Sequence, residues 1–443
     1  METIGEQGDA GARPDAAGTG SATVQSSALA GGGGAETAAS RARRLIEHLR
    51  GGVPLPPSEP PLVIGRAHLY SKVGDLLDTV AAKGSRAMAL QANYGDGKTH
   101  SLRAIWHLAA ERNFVVSEVA LNRETPMDRL DKVYPKVLAG TYLPGAAQPG
   151  IDRLVAGITA GGEDAAKLLR FAADNLHPKI HAVLHNLIEG SSTEAAEPLL
   201  GDLARLDIST NDLKRIHKGN FNATLKFGRF SAQREVRDYF RLIDFLIRLA
   251  GHAGWVILFD EAELIARLGR GGRAKAYANV GSLAGDGLGC THLLSVFALA
   301  SNFYGTLTRR RDPEACPEWL RSRGLTEAAE LCTMGLAALG EATMLESLQP
   351  ANWLSVLQAV KDAHETAYGW SADLTAGAFW EHVRGLTQTD TKVRTRLRVA
   401  IQWLDLLMQH GQPPQVRLSG VAEVPLDEEA WAEVAAAGDA DGQ

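Results

Sequence analysis

The residues with the clearest chemical potential form a glycine-rich turn ending in lysine and threonine, Ala92-Asn93-Tyr94-Gly95-Asp96-Gly97-Lys98-Thr99. The turn fits the P-loop pattern GxxxxGK[ST] at every fixed position except the first, where alanine stands for glycine. In such a loop, inward-facing backbone N–H groups and the positive end of the next helix bind polyphosphate. We therefore expect residues 92–99 and His100 to bind ATP, with Lys98 on the β and γ phosphates and the Thr99 hydroxyl on Mg²⁺.

Two acidic residues, Asp260 and Glu261, follow the apolar run Trp255-Val256-Ile257-Leu258-Phe259. A buried strand that ends in two acids next to a P-loop can supply both a metal ligand and a base. We expect Asp260 to bind Mg²⁺ and Glu261 to orient and deprotonate an attacking water. The alternative is an ordinary strand followed by a helix-capping aspartate. Glu263, two residues further on, is predicted to be an exposed helix residue.

A polar residue, Asn302, follows the next strand-like run, Leu293 to Ala300. At the end of a strand beside the P-loop, its side chain could contact the γ phosphate or the attacking water. A helix cap is the alternative interpretation.

These residues need a parallel sheet to bring them together. Short apolar runs alternate with helical periods, which predicts an α/β fold with βαβ units and helices flanking a parallel sheet. The predicted elements are a helix at 68–83, a strand at 86–91, a helix from 97, a strand at 114–121, a helix at 128–139, and buried strands at 255–259 and 293–300. Residues 145–235 have helical spacing only, so we predict a helical insertion in the sheet domain.

Composition sets the outer limits of the fold. The chain has 443 residues, of which 45% are hydrophobic and 22% charged, as in an ordinary globular protein. We divide it into a disordered tail (1–38), a helix and proline-rich linker (39–61), the P-loop domain (62–330), a C-terminal helical subdomain (331–412) and an acidic flexible tail (413–443). No apolar run approaches the ~18 residues of a membrane span, and the first residues lack the pattern of a secretory signal. We therefore expect a cytoplasmic protein.

The arrangement of these motifs resembles an AAA+ or closely related P-loop ATPase. More narrowly, five segments resemble the ATP-binding proteins of BREX/Pgl-type phage-defence systems: 42–54, 93–102, 114–124, 255–263 and 273–280. The resemblance implies that Gly65-Arg66, before the first helix of the sheet domain, helps to hold the adenine. It also implies that an arginine of the C-terminal helical subdomain closes over the nucleotide, for which Arg394 is our candidate; a solvated basic face is the alternative.

The resemblance implies an ATPase subunit working with other defence-system proteins, including a helicase-like partner. The formal charge of −6 argues against nonspecific attraction to nucleic acid, so any such contact must use local basic clusters. Two clusters are candidates, Arg309-Arg310-Arg311 and the glycine-rich segment 267–276, which we interpret as a mobile loop. The first is also a candidate arginine finger in a homo-oligomer. The alternative to an ATPase is a nucleotide-gated scaffold that binds ATP with little or no turnover.

Overall fold

The structure, a computed structural model, describes residues 37–411 except 54, 58, 63, 64, 94, 192, 346, 347 and 388–390, and the side chain of residue 193. The tails predicted at 1–38 and 413–443 lie almost entirely outside the described residues. The described part of the chain contains a six-stranded sheet surrounded by helices. This architecture confirms the predicted α/β class.

The sheet is parallel apart from one edge strand. Its order is β3-β2-β4-β5-β1-β6, and only the β2–β3 pair is antiparallel. The strands are β1 (Arg86–Ala92), β2 (Phe114–Ala120), β3 (Thr141–Tyr142), β4 (Gly254–Asp260), β5 (Leu293–Ala300) and β6 (Thr343–Met344). One strand, β5, therefore lies between the strand that leads into the P-loop and the strand that ends in Asp260.

Both faces of the central strands are buried, which explains their nearly continuous apolar sequences. Alternate residues point to opposite faces. One face packs against α2 (Ala67–Ala82) and α3 (Lys98–Glu111), and the other packs against α4 (Leu130–Ala139) and helices that follow later in the chain. Trp255 and Ile257 face the second layer, while Val256 and Leu258 face the first.

The predicted insertion is helical, and it enters the sheet between β3 and β4. Its helices are α5 (Asp152–Ala156), α6 (Glu163–Asn175), α7 (Pro178–Glu189), α8 (Ala196–Arg205), α9 (Thr210–Phe221) and α10 (Ala232–Leu249). Their apolar faces join the core cluster of the second sheet face. A buried ion pair, Lys179 to Asp202 at 3.0 Å, lies inside this insertion.

The remaining helices divide between two cores. They are α11 (Arg270–Ala284), α12 (Phe303–Arg309), α13 (Asp312–Arg321), α14 (Thr326–Gly340), α15 (Pro350–Tyr368), α16 (Ala376–Leu386) and α17 (Val393–His410). Helix α14 packs against α11 in the core of the sheet domain. Helices α15 to α17 share a separate cluster with α1 (Ala38–Gly51), whose Ile46 is fully buried there. The first helix of the described residues therefore packs with the last ones described.

The prediction of a mobile loop at 267–276 was wrong. Helix α11 begins at Arg270, and the Arg273 side chain is buried against Asp312, with Nε to Oδ2 at 3.0 Å. A Cβ on Gly271 would lie 2.6 Å from Cζ2 of the Trp319 ring, so a side chain there would collide. Gly271 and Arg273 thus serve helix packing.

No helix among the described residues has the length and apolar character needed to cross a bilayer.

Candidate nucleotide site

The phosphate loop connects β1, which ends at Ala92, to α3, which begins at Lys98. Gly95 and Gly97 have φ angles of 82° and 90°, in the left-handed region where residues with a Cβ are strained. Ala92 has no such angle: it is the last residue of β1, and its methyl group is fully buried. Alanine at the first P-loop position therefore costs no backbone strain. Tyr94 lies outside the described residues.

Arg66 holds the outer side of this loop. It is the residue before α2, and its guanidinium donates to the Asp96 carbonyl oxygen at 2.5 Å and to the Ser101 hydroxyl. Within a trans peptide the C=O and N–H groups point in opposite directions. By holding the Asp96 carbonyl outward, Arg66 directs the Gly97 N–H to the other side of that peptide. Gly65 packs on the C-terminal helices, since a Cβ there would lie 2.9 Å from atoms of Asn352 and Leu348.

His100, one turn into α3, also fixes the approach to the loop. Its Nε2 lies 2.8 Å from the Leu62 carbonyl oxygen, so this nitrogen carries the proton and donates it. Burial lowers the pKa of the imidazole. A neutral His100 therefore anchors the segment before α2 to the helix that begins the phosphate site.

The acidic end of β4 meets the start of α3. Thr99 Oγ1 donates to Asp260 Oδ2 at 2.8 Å, although the two residues are 161 positions apart and β5 lies between their strands. The other carboxylate oxygen, Oδ1, accepts from the backbone N–H of Glu261 at 2.9 Å. The hydroxyl and carboxylate that we predicted as magnesium ligands are thus adjacent, and Asp260 is only 7% exposed.

Glu261 sits at a strained turn just after the strand. Its φ of 58° lies in the left-handed region, which is uncommon for glutamate and costs backbone strain. It is more exposed than Asp260. Partial desolvation raises the pKa of its carboxyl, and the negative charges of Glu263 and Asp260 raise it further. A carboxylate with a raised pKa is a better proton acceptor than an ordinary glutamate.

Glu263 was predicted to be exposed, and this prediction was wrong. Its side chain is 11% exposed, and Oε1 lies 3.3 Å from Nζ of Lys98, whose side chain is 9% exposed. The turn at Glu261 starts a 3-10 helix, Ala262–Arg267, that folds back toward the phosphate loop. The P-loop lysine is therefore paired with a third carboxylate of the same strand end.

A further charged pair lies on the adjacent strand. Glu118 of β2 forms an ion pair with Arg103 of α3, and both side chains are largely buried. Burial raises the pKa of the Glu118 carboxyl, and the nearby charge of Asp260 acts in the same direction. This ion pair was not predicted. A glutamate inside the apolar run FVVSEVA was the available signal, because a charge in a doubly buried strand requires a partner.

At the end of β5, Ser301 rather than Asn302 contacts the phosphate loop. The Ser301 hydroxyl lies 2.6 Å from Asn93 Oδ1, and its N–H donates to the Ala92 carbonyl at 3.1 Å. Asn93 Nδ2 in turn donates to Asp96 Oδ2 at 3.1 Å. Asn302 itself is exposed, and its side chain does not cap α12. The β5 end is thus joined to the phosphate loop through its serine.

The C-terminal helices approach the same loop at the start of α17. The Cβ and Cγ atoms of Lys392 lie 3.2 and 3.4 Å from the position that a Cβ on Gly95 would take. Arg394 lies elsewhere: its Cδ is 2.9 Å from the corresponding position at Gly52, which follows α1. Lys392, and not the predicted Arg394, is therefore the cation placed beside Gly95 of the P-loop. No feature of the sequence around Lys392 predicted this contact.

The oxygen donors at this edge suit Mg²⁺. A threonine hydroxyl and an aspartate carboxylate are hard ligands, and Mg²⁺ in nucleotide sites takes one or two protein ligands together with phosphates and waters. Within the described ranges there is no group of three or more His, Cys, Asp or Glu side chains arranged for a metal held by protein alone. The residues present therefore fit a magnesium ion that arrives with a nucleotide.

Comparisons with known proteins give a family match and a distant structural neighbour. A Walker-type ATPase of Pyrococcus abyssi is similar in structure at 11% sequence identity, with 79% of this chain and 69% of that chain covered and a TM-score of 0.35. The comparison with curated proteins finds no match. The sequence profile of the family described as BREX system ATP-binding protein BrxC/D matches residues 38–196 and 230–418, which is most of the chain. By this match, the protein belongs to the BREX system ATP-binding protein BrxC/D family.

Proposed function

We propose that this protein hydrolyses Mg-ATP at the edge of the sheet formed by the phosphate loop and the end of β4. The observation that carries the proposal is the 2.8 Å contact between Thr99 Oγ1 and Asp260 Oδ2. It joins the P-loop to a distant acidic strand end in the arrangement that phosphoryl transfer requires. Membership of an ATP-binding family supports the choice of nucleotide.

Each residue has a separate task in this proposal. The N–H groups of the loop and the start of α3 bind the phosphates, and Lys98 contacts their outer oxygens. Thr99 and Asp260 would hold Mg²⁺, which when bound neutralises phosphate charge. Glu261 accepts a proton from the attacking water, a task that suits its raised pKa.

The C-terminal helices would change position with the nucleotide bound at the site. Lys392 lies against Gly95 of the phosphate loop, and Gly65, the neighbour of Arg66, lies against Asn352 and Leu348, so this part of the chain contacts both the loop and the segment that holds it. We propose that a change in bound phosphate shifts these helices and thereby alters the contact with another defence protein. Asn302, exposed at the end of β5, keeps its proposed role at the γ phosphate. Arg394 lies beside Gly52, so its proposed role in closing over the nucleotide requires this same shift of the helices. The candidates for the molecule that responds to this shift are a helicase-like partner, nucleic acid and further copies of the chain.

Two variants test the proposal. Lys98→Ala should weaken ATP binding by about a hundredfold, because it removes a charge-assisted contact to phosphate. Glu261→Gln should retain ATP binding and lose about 10² to 10⁴ of the hydrolysis rate, the usual contribution of a general base. Binding is measured by titration calorimetry, and turnover by phosphate release with and without DNA, RNA and the proteins encoded beside it.

The nucleotide-gated scaffold makes a different prediction for the same measurements. In that case the wild type binds ATP tightly, and phosphate release stays at background with every addition. Unchanged ATP binding in Lys98→Ala would instead show that the nucleotide site lies elsewhere.

A further inference from the structure

The Lys98–Glu263 contact is an unusual arrangement for a lysine expected to bind phosphate. The Nζ to Oε1 distance is 3.3 Å, and the side chains are only 9% and 11% exposed. Glu263 lies in a 3-10 helix that is held from outside, because Arg310 Nη1 donates to the Ala266 carbonyl oxygen at 2.5 Å. The contact is therefore formed by two anchored elements, α3 and this 3-10 helix.

Glu263 is incompletely satisfied in this position. Its second oxygen, Oε2, is buried, yet no described residue forms a hydrogen bond with it. A buried carboxylate oxygen without a donor is costly, and such exceptions call for an explanation. Structural stabilisation alone would favour a site where both oxygens are paired. The position of Glu263 is better explained by the ammonium group that it faces.

We propose that Glu263 competes with the γ phosphate for Lys98 and so sets the discrimination between ATP and ADP. This inference rests on the proposed function. Lys98 in a P-loop contacts the β and γ phosphates. A triphosphate that takes this contact brings its terminal charge next to the Glu263 carboxylate, and like charges in close contact repel strongly.

The competition affects the two nucleotides unequally. The diphosphate reaches Lys98 only with its β phosphate, which lies deeper in the loop, whereas the γ phosphate extends toward β4 and its acids. Glu263 therefore reduces affinity for ATP more than affinity for ADP. It is a specificity-determining residue in this proposal, and Glu261 remains the candidate base.

The experiment measures dissociation constants of Mg-ATP and Mg-ADP for the full chain by titration calorimetry. Glu263→Gln removes the charge and keeps the shape of the side chain. Glu330→Gln is the matched control, since it removes the same charge from an exposed position on α14. Glu263→Ala is a second variant, and thermal unfolding of each variant without and with nucleotide shows whether the fold and its binding response are retained.

We expect Glu263→Gln and Glu263→Ala to bind ATP about tenfold more tightly than the wild type, with a smaller gain for ADP and no change in Glu330→Gln. ATP binding that is unchanged or weaker in both Glu263 variants, while the wild type binds ATP through Lys98, would overturn the competition. Equal gains for ATP and ADP would overturn the discrimination. A wild type whose ATP binding is insensitive to Lys98→Ala would overturn the proposed function itself, which separates the two failures.

Discussion

Two buried lysine–carboxylate pairs in this protein have the same chemistry and different surroundings. In the helical insertion, Lys179 and Asp202 are 1% and 0% exposed and 3.0 Å apart, and Asp202 also accepts from the Tyr239 hydroxyl and the Ile208 N–H. At the phosphate loop, Lys98 pairs with Glu263 at 3.3 Å, and the second oxygen of Glu263 has no donor among the described residues.

The difference separates a pair that stabilises from a pair that can be exchanged. Every oxygen of Asp202 is occupied, and the Lys179 ammonium also lies 4.0 Å from the centre of the Phe230 ring. Rearranging that network would leave buried charges unpaired. The Lys98 pair has fewer partners and lies beside a strained residue, Glu261, so an incoming anion can replace one of its members.

The largest effect that we predict concerns the insertion. Lys179→Ala should lower the free energy of unfolding by about 3 to 5 kcal/mol, because it leaves Asp202 buried without its counter-charge. Urea unfolding followed by circular dichroism measures the loss. Lys167→Ala is the control, since its ion pairs with Glu163 and Asp164 are exposed and exposed pairs contribute little to stability. Equal losses in the two variants would contradict the comparison.

An intermediate effect is expected where β5 meets the phosphate loop. Ser301→Ala removes the hydroxyl that lies 2.6 Å from Asn93 Oδ1. The loss of about 1 kcal/mol of hydrogen bonding should weaken ATP binding roughly fivefold. Titration calorimetry measures it against Ser322→Ala, whose exposed hydroxyl bonds the Trp319 carbonyl and the Arg323 guanidinium and has no contact with the phosphate loop. If Ser301→Ala binds ATP as the wild type does, the Ser301 contact has no part in the site.

An effect that appears only on acidification concerns a further buried polar group, His364, in the C-terminal helical cluster. The Trp370 indole N–H lies 2.9 Å from Nδ1 of His364. An indole nitrogen can only donate, so Nδ1 is the acceptor. The proton of the neutral imidazole is therefore on Nε2, which faces Asp405. Burial lowers the pKa of His364, against the opposing effect of Asp405; Arg50 and Glu365 are the other charges that act on it. The stability that this neutral histidine contributes is present above its unfolded pKa of about 6.5 and is lost as pH falls through the lower folded pKa.

We expect this loss to reach at most about 1.4 kcal/mol near pH 5.5, one unit below the unfolded pKa. Urea unfolding at neutral and acid pH measures it, with His364→Gln as the reference because other groups titrate in the same range. The wild type should lose more stability on acidification than the variant. An equal loss in both proteins would mean that His364 titrates alike in the folded and unfolded chains.

The strongly patterned elements were predictable from local sequence. The strand expected at 86–91 is β1 at Arg86–Ala92, and the run at 293–300 is β5 with the same bounds. These segments are apolar because both faces of each strand are buried. The apolar run can therefore be recognised without knowing which strands lie beside it. The two-residue strands β3 and β6 were missed, since so short a pairing has no sequence period and exists only where another strand lies beside it.

The candidate site was predictable where its residues are adjacent in sequence. It was less predictable where residues distant in sequence come into contact. Spacing alone identified the P-loop and the pair Asp260 and Glu261. It misjudged Glu263, whose burial follows from a left-handed turn that folds the chain back onto Lys98. It also passed over Lys392, which lies beside Gly95 because of the way the C-terminal helices pack on the sheet domain.

Local sequence was therefore enough to predict the phosphate loop, the acidic strand end and the α/β class, because glycine conformation, side-chain charge and hydrophobic period are properties of neighbouring residues. The groups that face the loop lysine and the helices that touch the loop followed from the three-dimensional packing, since those contacts join positions more than 160 residues apart. The closure of such distances depends on the packing of the whole core, which no local pattern records.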